Sequence, residues 1–291
     1  MKKILILGAA MPDILIQDGV EVGRNVGGCA CNIADTVRHF GIPYTFFSPI
    51  GTGEYGDYVR RELGKRGISS PVSVAGEHGC CRCYLEPRGT VYRGDRKAEY
   101  GFVPELLDRI DPADYAMVCV PGIEIREYCG NHIVDWLEQH RELPLFYAPG
   151  PHLPMTPPER VERMLDLGPQ IHLNDEEICQ FTGREDPAEA AKALFQRTGS
   201  PVWVTCGPRG SLCYDGALHQ VPAEPAETIL DTVGAGDSHL GSVLAGQYRG
   251  LGPEACLKQG GIVARAVIGT RGSLLADEVF ETLFDKKEIT L

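Results

Sequence analysis

The chain has 291 residues, with 28 Lys and Arg against 40 Asp and Glu, which gives a formal net charge of −12. So acidic a surface argues against a nucleic-acid partner, because it would repel the phosphates. No apolar run approaches the roughly 20 residues of a membrane helix. Eleven cysteines scattered through so long a chain predict reduced thiols in a cytoplasmic protein. The length suits one large α/β domain or two smaller ones.

The chain opens with two lysines and a short apolar run at residues 4–7. A secretion signal is one interpretation, but the run meets Pro12 and Asp13 without a cleavage-type site, which favours a first buried strand. Asp13 follows that strand at the position where open α/β sheets place ligands. An ordinary turn residue is the alternative interpretation of Asp13.

A glycine pair, Gly27 and Gly28, precedes a predicted helix on which Ile33 and Val37 recur at helical spacing. Paired glycines let a ligand come against the backbone, and they also suit a plain tight turn. Asn32 stands on the first helical turn, where its amide offers both a donor and an acceptor to hydroxyl groups. The pattern therefore indicates a binding site for a polar small molecule.

Residues 51–56, GTGEYG, match G-x-G-x-x-G and lie between a predicted strand at Phe46–Phe47 and a predicted helix. Such a match is a weak signal for a dinucleotide, so we interpret it as a strand-to-helix turn. The chain has no G-x-x-x-x-G-K-[ST] phosphate loop. ATP binding through that motif is therefore excluded.

Residues 72–102 contain short predicted strands, a turn at residues 87–89 and several basic side chains. A solvated hairpin is the simplest interpretation, although exposed hairpins are marginal alone and usually need a partner surface. Cys80, Cys81 and Cys83 cluster here, but no second C-x-x-C or His pair stands at zinc spacing. Metal binding is therefore not the favoured interpretation.

From residue 108 onwards the pattern alternates strands and helices, with apolar segments at residues 115–120, 133–137 and 145–147. This rhythm predicts right-handed βαβ units and a parallel sheet. Asn174 and Glu177 follow another strand, where oxygen ligands could serve a hard cation or simply cap a helix. Residues 202–211 predict a strand, a glycine turn and a second strand.

Residues 231–246, DTVGAGDSHLGSVLAG, form a small-residue turn that leads into a helix. Gly234, Ala235 and Gly236 allow several N–H groups to point at one spot, where the helix dipole adds positive charge for an anion. Asp237 follows immediately, either as a helix cap or as a base. A carboxylate beside an anion site repels the anion, so a proton-accepting role in phosphoryl transfer is the sharper hypothesis.

DTVGAGD, together with the earlier NVGGCACN segment, resembles the two signatures of the ribokinase-like (PfkB) carbohydrate kinase family. The resemblance implies an α/β, ribokinase-like fold: a central mostly parallel sheet flanked by helices, with a small β-sheet lid that is often a homodimer surface. It assigns residues 1–12, 26–71 and 103–291 to the core, the last with the nucleotide site. Residues 13–25 and 72–102 form the lid strands.

The resemblance also implies roles for individual residues in holding an acceptor, ATP, Mg²⁺ and a monovalent cation such as K⁺. It implies acceptor binding by Asp13, Gly27, Gly28 and Asn32; nucleotide binding by Asn174, Thr205, Gly207, Gly210 and Gly261; Mg²⁺ through water by Glu177; and a monovalent cation at Asp231 and Val233. Two features depart from the family pattern. Gly260 and Gly261 replace a polar residue near adenine, and His239 replaces an aromatic or small apolar residue.

These expectations combine into an ATP-dependent kinase that transfers a γ-phosphoryl group to a hydroxyl of a small sugar. In this hypothesis Asp237 is the base, and the turn of Gly234, Ala235 and Gly236 stabilises the negative charge on the oxygens of the phosphoryl group during transfer. A nucleoside kinase of the same family is the alternative. A sensor that binds without turnover and a dinucleotide oxidoreductase resting on residues 51–56 are hypotheses from other classes.

Overall fold

Strands and helices alternate along most of the chain, as the pattern predicts. The structure, a computed structural model, describes residues 1–86 and 89–284. Its strands are β1 (Lys3–Leu7), β2 (Met11–Gln17), β3 (Val20–Gly27), β4 (Tyr44–Phe47), β5 (Ile50–Thr52), β6 (Ser73–Glu77), β7 (Cys80–Glu86), β8 (Gly89–Asp95), β9 (Tyr115–Pro121), β10 (Leu145–Ala148), β11 (Gln170–Asn174), β12 (Val202–Thr205), β13 (Ser211–Tyr214) and β14 (Leu218–Val221). Its helices are α1 (Cys29–His39), α2 (Gly53–Lys65), α3 (Pro104–Leu107), α4 (Gly122–Arg126), α5 (Gly130–Gln139), α6 (Pro158–Asp166), α7 (Asp175–Thr182), α8 (Pro187–Thr198), α9 (Ala235–Tyr248), α10 (Pro253–Ile268) and α11 (Asp277–Phe280).

The main sheet has the order β14-β13-β12-β11-β10-β9-β1-β4. In this order the strands from β12 to β4 pair in parallel, whereas the β12–β13 and β13–β14 pairs are antiparallel. The carboxyl ends of the parallel strands therefore meet at one edge, where the following turns can share a ligand. The predicted central, mostly parallel sheet is confirmed.

Alternating side chains of β1 divide the core into two apolar layers, because successive residues of a strand point to opposite faces. Ile4 and Ile6 pack in the layer that contains α1, α9 and α10. Leu5 and Leu7 pack in the layer that contains α5. Residues 4–7 are fully buried, as expected for a strand that is covered on both faces.

Helices α1 and α9 pack against each other within the first layer. A Cβ built on Gly241 would lie only 2.7 Å from Cβ of Thr36, so a glycine is needed at this crossing. Leu240, Val243 and Leu244 are buried, as their spacing predicts. This packing brings the first turns of two helices together although about 200 residues separate them in the sequence.

A second sheet has the order β3-β2-β7-β8, with β2 and β7 parallel and the outer pairs antiparallel. It is the separate small sheet that the resemblance implies. Strand β6 belongs elsewhere: it pairs with β5 in a two-stranded parallel sheet, although residues 73–77 fall inside the predicted second lid segment. The predicted turn at residues 87–89 includes Pro87 and Arg88, which lie outside the described residues.

Within residues 1–86 and 89–284, every helix is too short or too polar to cross a membrane. All eleven cysteines are free thiols, in line with the predicted reduced state.

Candidate active site

Helices α1 and α9 both begin at a glycine with a positive φ angle. This angle is 104° at Gly28 and 79° at Gly234, in the region that glycine adopts without steric cost. A Cβ on Gly28 would lie 2.6 Å from the Ala9 carbonyl oxygen, and a Cβ on Gly234 would lie 2.4 Å from Cβ of Ser273. Both glycines are therefore needed for space as well as for backbone conformation.

Asp237 and Asn32 meet where these two helices begin. Asn32 Nδ2 donates to Asp237 Oδ2 at 2.7 Å, and the Ser273 hydroxyl donates to Asn32 Oδ1 at 2.8 Å. Asn32 is 5% exposed, so its amide is held rigidly between the two partners. An amide has two donor hydrogens and two acceptor lone pairs, so one of each remains for a ligand.

Asp237 is a half-buried carboxyl whose pKa is shifted towards neutrality. Burial raises the pKa of Asp237 to about 6, hydrogen bonds from Asn32 and Cys29 oppose the rise, and the charge of Glu177 adds to it. A carboxyl with such a pKa is ionised at neutral pH and is a better proton acceptor than an ordinary aspartate. Its position and its pKa suit a general base.

The amides before Asp237 form the predicted anion turn. The Ala235 N–H bonds the Thr232 carbonyl at 3.3 Å, whereas the N–H groups of Gly234 and Gly236 have no acceptor among the described residues. A Cβ built on Gly236 would meet no atom within 4 Å, so there is open space beside the Cα of this residue. Two of the three predicted donors are therefore free for a ligand, and the third is engaged in a turn.

Asp13 lies within β2, opposite Asn25 of β3, and its carboxylate lies beside Gly27. A Cβ on Gly27 would lie 2.3 Å from Asp13 Oδ2, so the glycine leaves room for the carboxylate. Burial raises the pKa of Asp13 to about 7, against a hydrogen bond from Cys83 that lowers it. Burial also raises the pKa of the Cys31 thiol, and the charges of Asp35, Asp13 and Asp237 add to that rise. The charges of Asp13 and Asp237 thus both act on the Cys31 thiol of α1.

Asn174 and Glu177 cap helix α7 reciprocally. Asn174 Oδ1 accepts from the Glu177 N–H at 2.7 Å, and Glu177 Oε2 accepts from the Asn174 N–H at 3.0 Å. This is the capping-box arrangement, which satisfies two amides that the helix leaves unpaired. Burial raises the pKa of Glu177, the bond to the Asn174 backbone opposes this, and Glu176 and Asp175 add to it. Both residues line a cavity of about 660 Å³.

Thr205, Gly207 and Gly210 surround the predicted turn between β12 and β13. A Cβ on Gly210, where φ is 94°, would lie 2.0 Å from the Val221 carbonyl oxygen. Gly261 lies on α10, where a Cβ would meet only the Glu224 side chain at 3.9 Å. The glycine therefore leaves open space on this side of the helix.

Asp231 and Val233 lie in the loop that leads to Gly234. Asp231 Oδ1 accepts from the Val233 N–H at 3.0 Å, and the Leu230 N–H donates to the Ile268 carbonyl at 2.8 Å. The Asp231 carboxylate therefore already stabilises the loop through one oxygen.

The comparisons with known proteins agree with this geometry. The model of the pfkB family of carbohydrate kinases matches residues 1–278. The chain belongs to the pfkB carbohydrate kinase family. It is therefore a phosphotransferase with an alcohol group as acceptor.

Two curated relatives and one solved structure each cover 85% or more of the chain. The uncharacterized sugar kinase YegV of Escherichia coli is 28% identical over 99% of this chain and 95% of its own length. Fructoselysine 6-kinase of Shigella flexneri is 25% identical over 85% and 91% of the two chains. Fructokinase of Xylella fastidiosa, solved with bound ATP, superposes with a TM-score of 0.80 at 17% identity, covering 98% of this chain and 99% of its own. The last likeness shows the ribokinase-like fold.

Sequence reasoning missed three contributors to the site of this kinase. Ser273 and Cys29 hold Asn32 and Asp237, but neither has a distinctive spacing in the sequence. Glu124, in helix α4 directly after β9, is 1% exposed and accepts from the Ala9 N–H at 2.9 Å through Oε1, whereas its Oε2 has no partner among the described residues. Burial raises the pKa of Glu124 to about 8, and the charge of Asp237 adds to that rise.

The two departures from the family pattern lie in contact. His239 is buried on α9, and its Nδ1 lies 3.0 Å from His172 Nε2 on β11. A Cβ built on Gly260 would lie 2.6 Å from the His239 ring, so glycine makes room for this histidine. Burial lowers the pKa of His239 to about 4, so the pair is neutral. No signal in the sequence indicated that His172 and His239 would pair.

Proposed function

We propose that this protein is an ATP-dependent kinase that transfers the γ-phosphoryl group to a hydroxyl of a small sugar or sugar-like acceptor. The single observation that carries the proposal is the Asp237 carboxyl, half-buried and bonded to Asn32, close after the N–H groups of Gly234 and Gly236, which find no acceptor in the part of the chain that the structure describes. A base and an anion site side by side are what phosphoryl transfer requires. A binding protein without turnover has no use for the base.

Asp237 accepts the proton of the attacking hydroxyl as the bond to phosphorus forms. The Asn32 amide orients the carboxylate through its 2.7 Å bond, and Ser273 holds that amide in turn. Because the pKa of Asp237 is about 6, the carboxylate is ionised at neutral pH. General-base action of this kind contributes about 10²- to 10⁴-fold to the rate.

The N–H groups of Gly234 and Gly236 donate to the transferring phosphoryl oxygens, where negative charge is spread in the transition state. Ala235 completes the turn, and the positive end of the α9 dipole adds to the field. The open space beside Gly236 leaves room for a phosphate. The turn of Gly234, Ala235 and Gly236 therefore suits the phosphates of a nucleoside triphosphate.

Glu177 is the residue that we propose to hold Mg²⁺, through water, because its Oε2 caps α7 while its Oε1 has no hydrogen-bond partner among the residues described. Oxygen ligands suit this hard cation, which keeps several of its waters. When bound, Mg²⁺ neutralises charge on the phosphates. A monovalent cation such as K⁺ at Asp231 and Val233 is a further prediction.

Asp13 and the open amide positions of Asn32 are proposed to hold acceptor hydroxyls, with Gly27 and Gly28 allowing the acceptor to approach the backbone. In its ionised form, which gains population as the pH rises through its pKa of about 7, the Asp13 carboxylate can accept two hydrogen bonds from a diol of the acceptor. The nucleotide is assigned to Asn174, Thr205, Gly207, Gly210 and Gly261. All five lie in or beside the turns after β11 and β12 or on α10.

A charged acceptor is compatible with a second cavity, of about 410 Å³, on the acceptor side of the molecule. Asn25 and Ser273 line it, together with the basic side chains of Arg24, Lys65, Arg66 and Arg271 and the acids Glu62, Asp277 and Glu278. Because charges of both signs line it, the cavity admits an acidic or a zwitterionic acceptor.

ATP consumption measured with free sugars, phosphosugars, fructoselysine and nucleosides tests the proposal. We expect turnover with one of the sugar classes that disappears in Asp237→Asn. Turnover confined to nucleosides would establish the alternative, a nucleoside kinase. Binding of sugar and ATP without any ATP consumption would establish a sensor and overturn the proposal.

We also propose that the small sheet forms a homodimer surface, because Val20 and Val22 are 64% and 54% exposed on its edge strand β3. Light scattering of the purified protein tests this: a dimer that becomes monomeric in Val22→Lys is expected. The cytoplasmic location stays a prediction, which cell fractionation would test.

A further inference from the structure

Three side chains with metal-ligating atoms share one face of the small sheet. Cys81 and Cys83 are two residues apart on β7, so their thiols lie on the same face of the sheet. Asp13 is paired with Cys81 across the parallel β2–β7 ladder. The two sulfurs and a carboxylate oxygen all lie within 4.8 Å of one another.

The surroundings of this cluster favour metal binding over a plain apolar contact. Cys83 is 2% exposed, whereas Cys81 and Asp13 are half-buried, so the cluster is closed below and open on one side. The partly exposed side chains of Cys81 and Asp13 leave a path by which an ion can reach the three donor atoms.

We propose that Asp13, Cys81 and Cys83 bind a soft divalent cation such as Zn²⁺. Thiolate sulfur with one carboxylate oxygen is a donor set for Zn²⁺ rather than for Mg²⁺ or Ca²⁺. Three protein ligands leave a fourth position for water. Binding releases the thiol protons to solvent as the two metal–sulfur bonds form.

The site shares Asp13 with the proposed acceptor site, so a metal ion and the acceptor compete for one carboxylate. Zn²⁺ is therefore an inhibitor that raises the KM for the acceptor, a consequence that rests on the proposed kinase function. The metal site itself does not depend on that function. Metal binding can be measured without ATP or acceptor.

Titration of the reduced, metal-free full-length protein with Cd²⁺ tests the site through the thiolate-to-metal absorption in the ultraviolet. We expect one saturable Cd²⁺ per chain, which Zn²⁺ displaces. Cys81→Ser and Cys83→Ser should each weaken binding by at least about tenfold, since even an outer-shell change costs that much. Asp13→Asn, which keeps both thiols, should weaken it as well.

Cys80→Ser is the matched control, because Cys80 lies on the same strand but faces the other way, beside Tyr55. This variant should bind Cd²⁺ like the unmodified protein. Absence of saturable binding, full binding in Cys81→Ser and Cys83→Ser, or an equal loss in Cys80→Ser would overturn the site. A protein that binds Cd²⁺ but phosphorylates nothing would overturn only the proposed function.

Discussion

Helices α7 and α9 differ in how the backbone N–H groups of their first turns are satisfied. Helix α7 begins at Asn174, whose side chain and that of Glu177 satisfy each other's backbone amides. The N-cap of α9 is Gly234, which has no side chain to cap the helix, and the N–H groups of Gly234 and Gly236 have no acceptor within residues 1–86 and 89–284. The first helix start is closed by its own residues, and the second is open.

The difference separates stability from binding. A side-chain cap is worth about 1 kcal/mol, and α9 does without it. Packing offsets this loss, because the residues from Ser238 to Gly246 are buried against α1 and α10. An uncapped helix start that is stabilised by its packing keeps its donors for a ligand, whereas α7 uses its own donors internally.

The largest effect is expected for Asp237→Asn, which tests whether the open start of α9 serves catalysis. The substitution keeps the shape of the helix start but removes the base. We expect a loss of about 10²- to 10⁴-fold in kcat, with ATP binding and the melting temperature nearly unchanged. Steady-state kinetics and thermal unfolding measure both. A variant with most of its activity would show that Asp237 only shapes the helix start.

Gly234→Ala changes the open start itself. The new Cβ meets Ser273 at 2.4 Å and forces a φ of 79° on a non-glycine residue, which costs about 1–3 kcal/mol. Misdirected amides should cost about 10²-fold in kcat. Gly183→Ala is the control, since this glycine also has a positive φ but only open space around it, at the far end of α7. Equal activity losses in the two variants would contradict the role of the anion turn.

Glu177→Gln asks whether the closed helix start also serves the metal. Glutamine can reach back to the cap as glutamate does, so the free energy of unfolding should stay the same. Loss of the charge should raise the Mg²⁺ concentration for half-maximal activity about tenfold. If the magnesium dependence does not move, Glu177 is a capping residue alone.

Asn32→Ala should move the pH dependence of activity. The base must be ionised, so activity falls as the pH drops through the Asp237 pKa of about 6. The Asn32 bond favours the ionised form, and its loss should therefore shift the acid side of the kcat profile to higher pH. Ser273→Ala leaves the Asn32–Asp237 bond in place and should shift the profile less. An unshifted profile in Asn32→Ala would contradict the positioning role.

The smallest effect is expected for the stability of the Asn174→Ala variant, measured in the absence of ligands. Loss of the α7 cap should lower the free energy of unfolding by about 1 kcal/mol, as measured by urea denaturation. Ala235→Ser on α9 is a useful contrast, because it lies within the open start and caps nothing. A destabilisation in that variant as large as in Asn174→Ala would remove the distinction between the two helix starts.

The sequence alone determined most of the fold and the positions of the two signatures. Glycine turns, apolar periodicity and the alternation of strands with helices are written in neighbouring residues, so the helices after Gly28 and Gly234 were predictable. The capping of α7 by Asn174 was predictable for the same reason. The order of the strands and the place of residues 73–77 beside β5 were not, because strand pairing depends on contacts between distant segments.

Only the tertiary structure decided how the site is assembled. Asn32 and Asp237 are 205 residues apart, and the bond between them exists because α1 and α9 cross at Gly241. The packing of α9 against β11 and α10 joins His239 to His172 and to Gly260, which explains two departures from the family pattern at once. Local signals show which residues can turn, cap or bury a face. The packing of whole helices and strands decides which side chains meet, and this packing cannot be predicted from neighbouring residues.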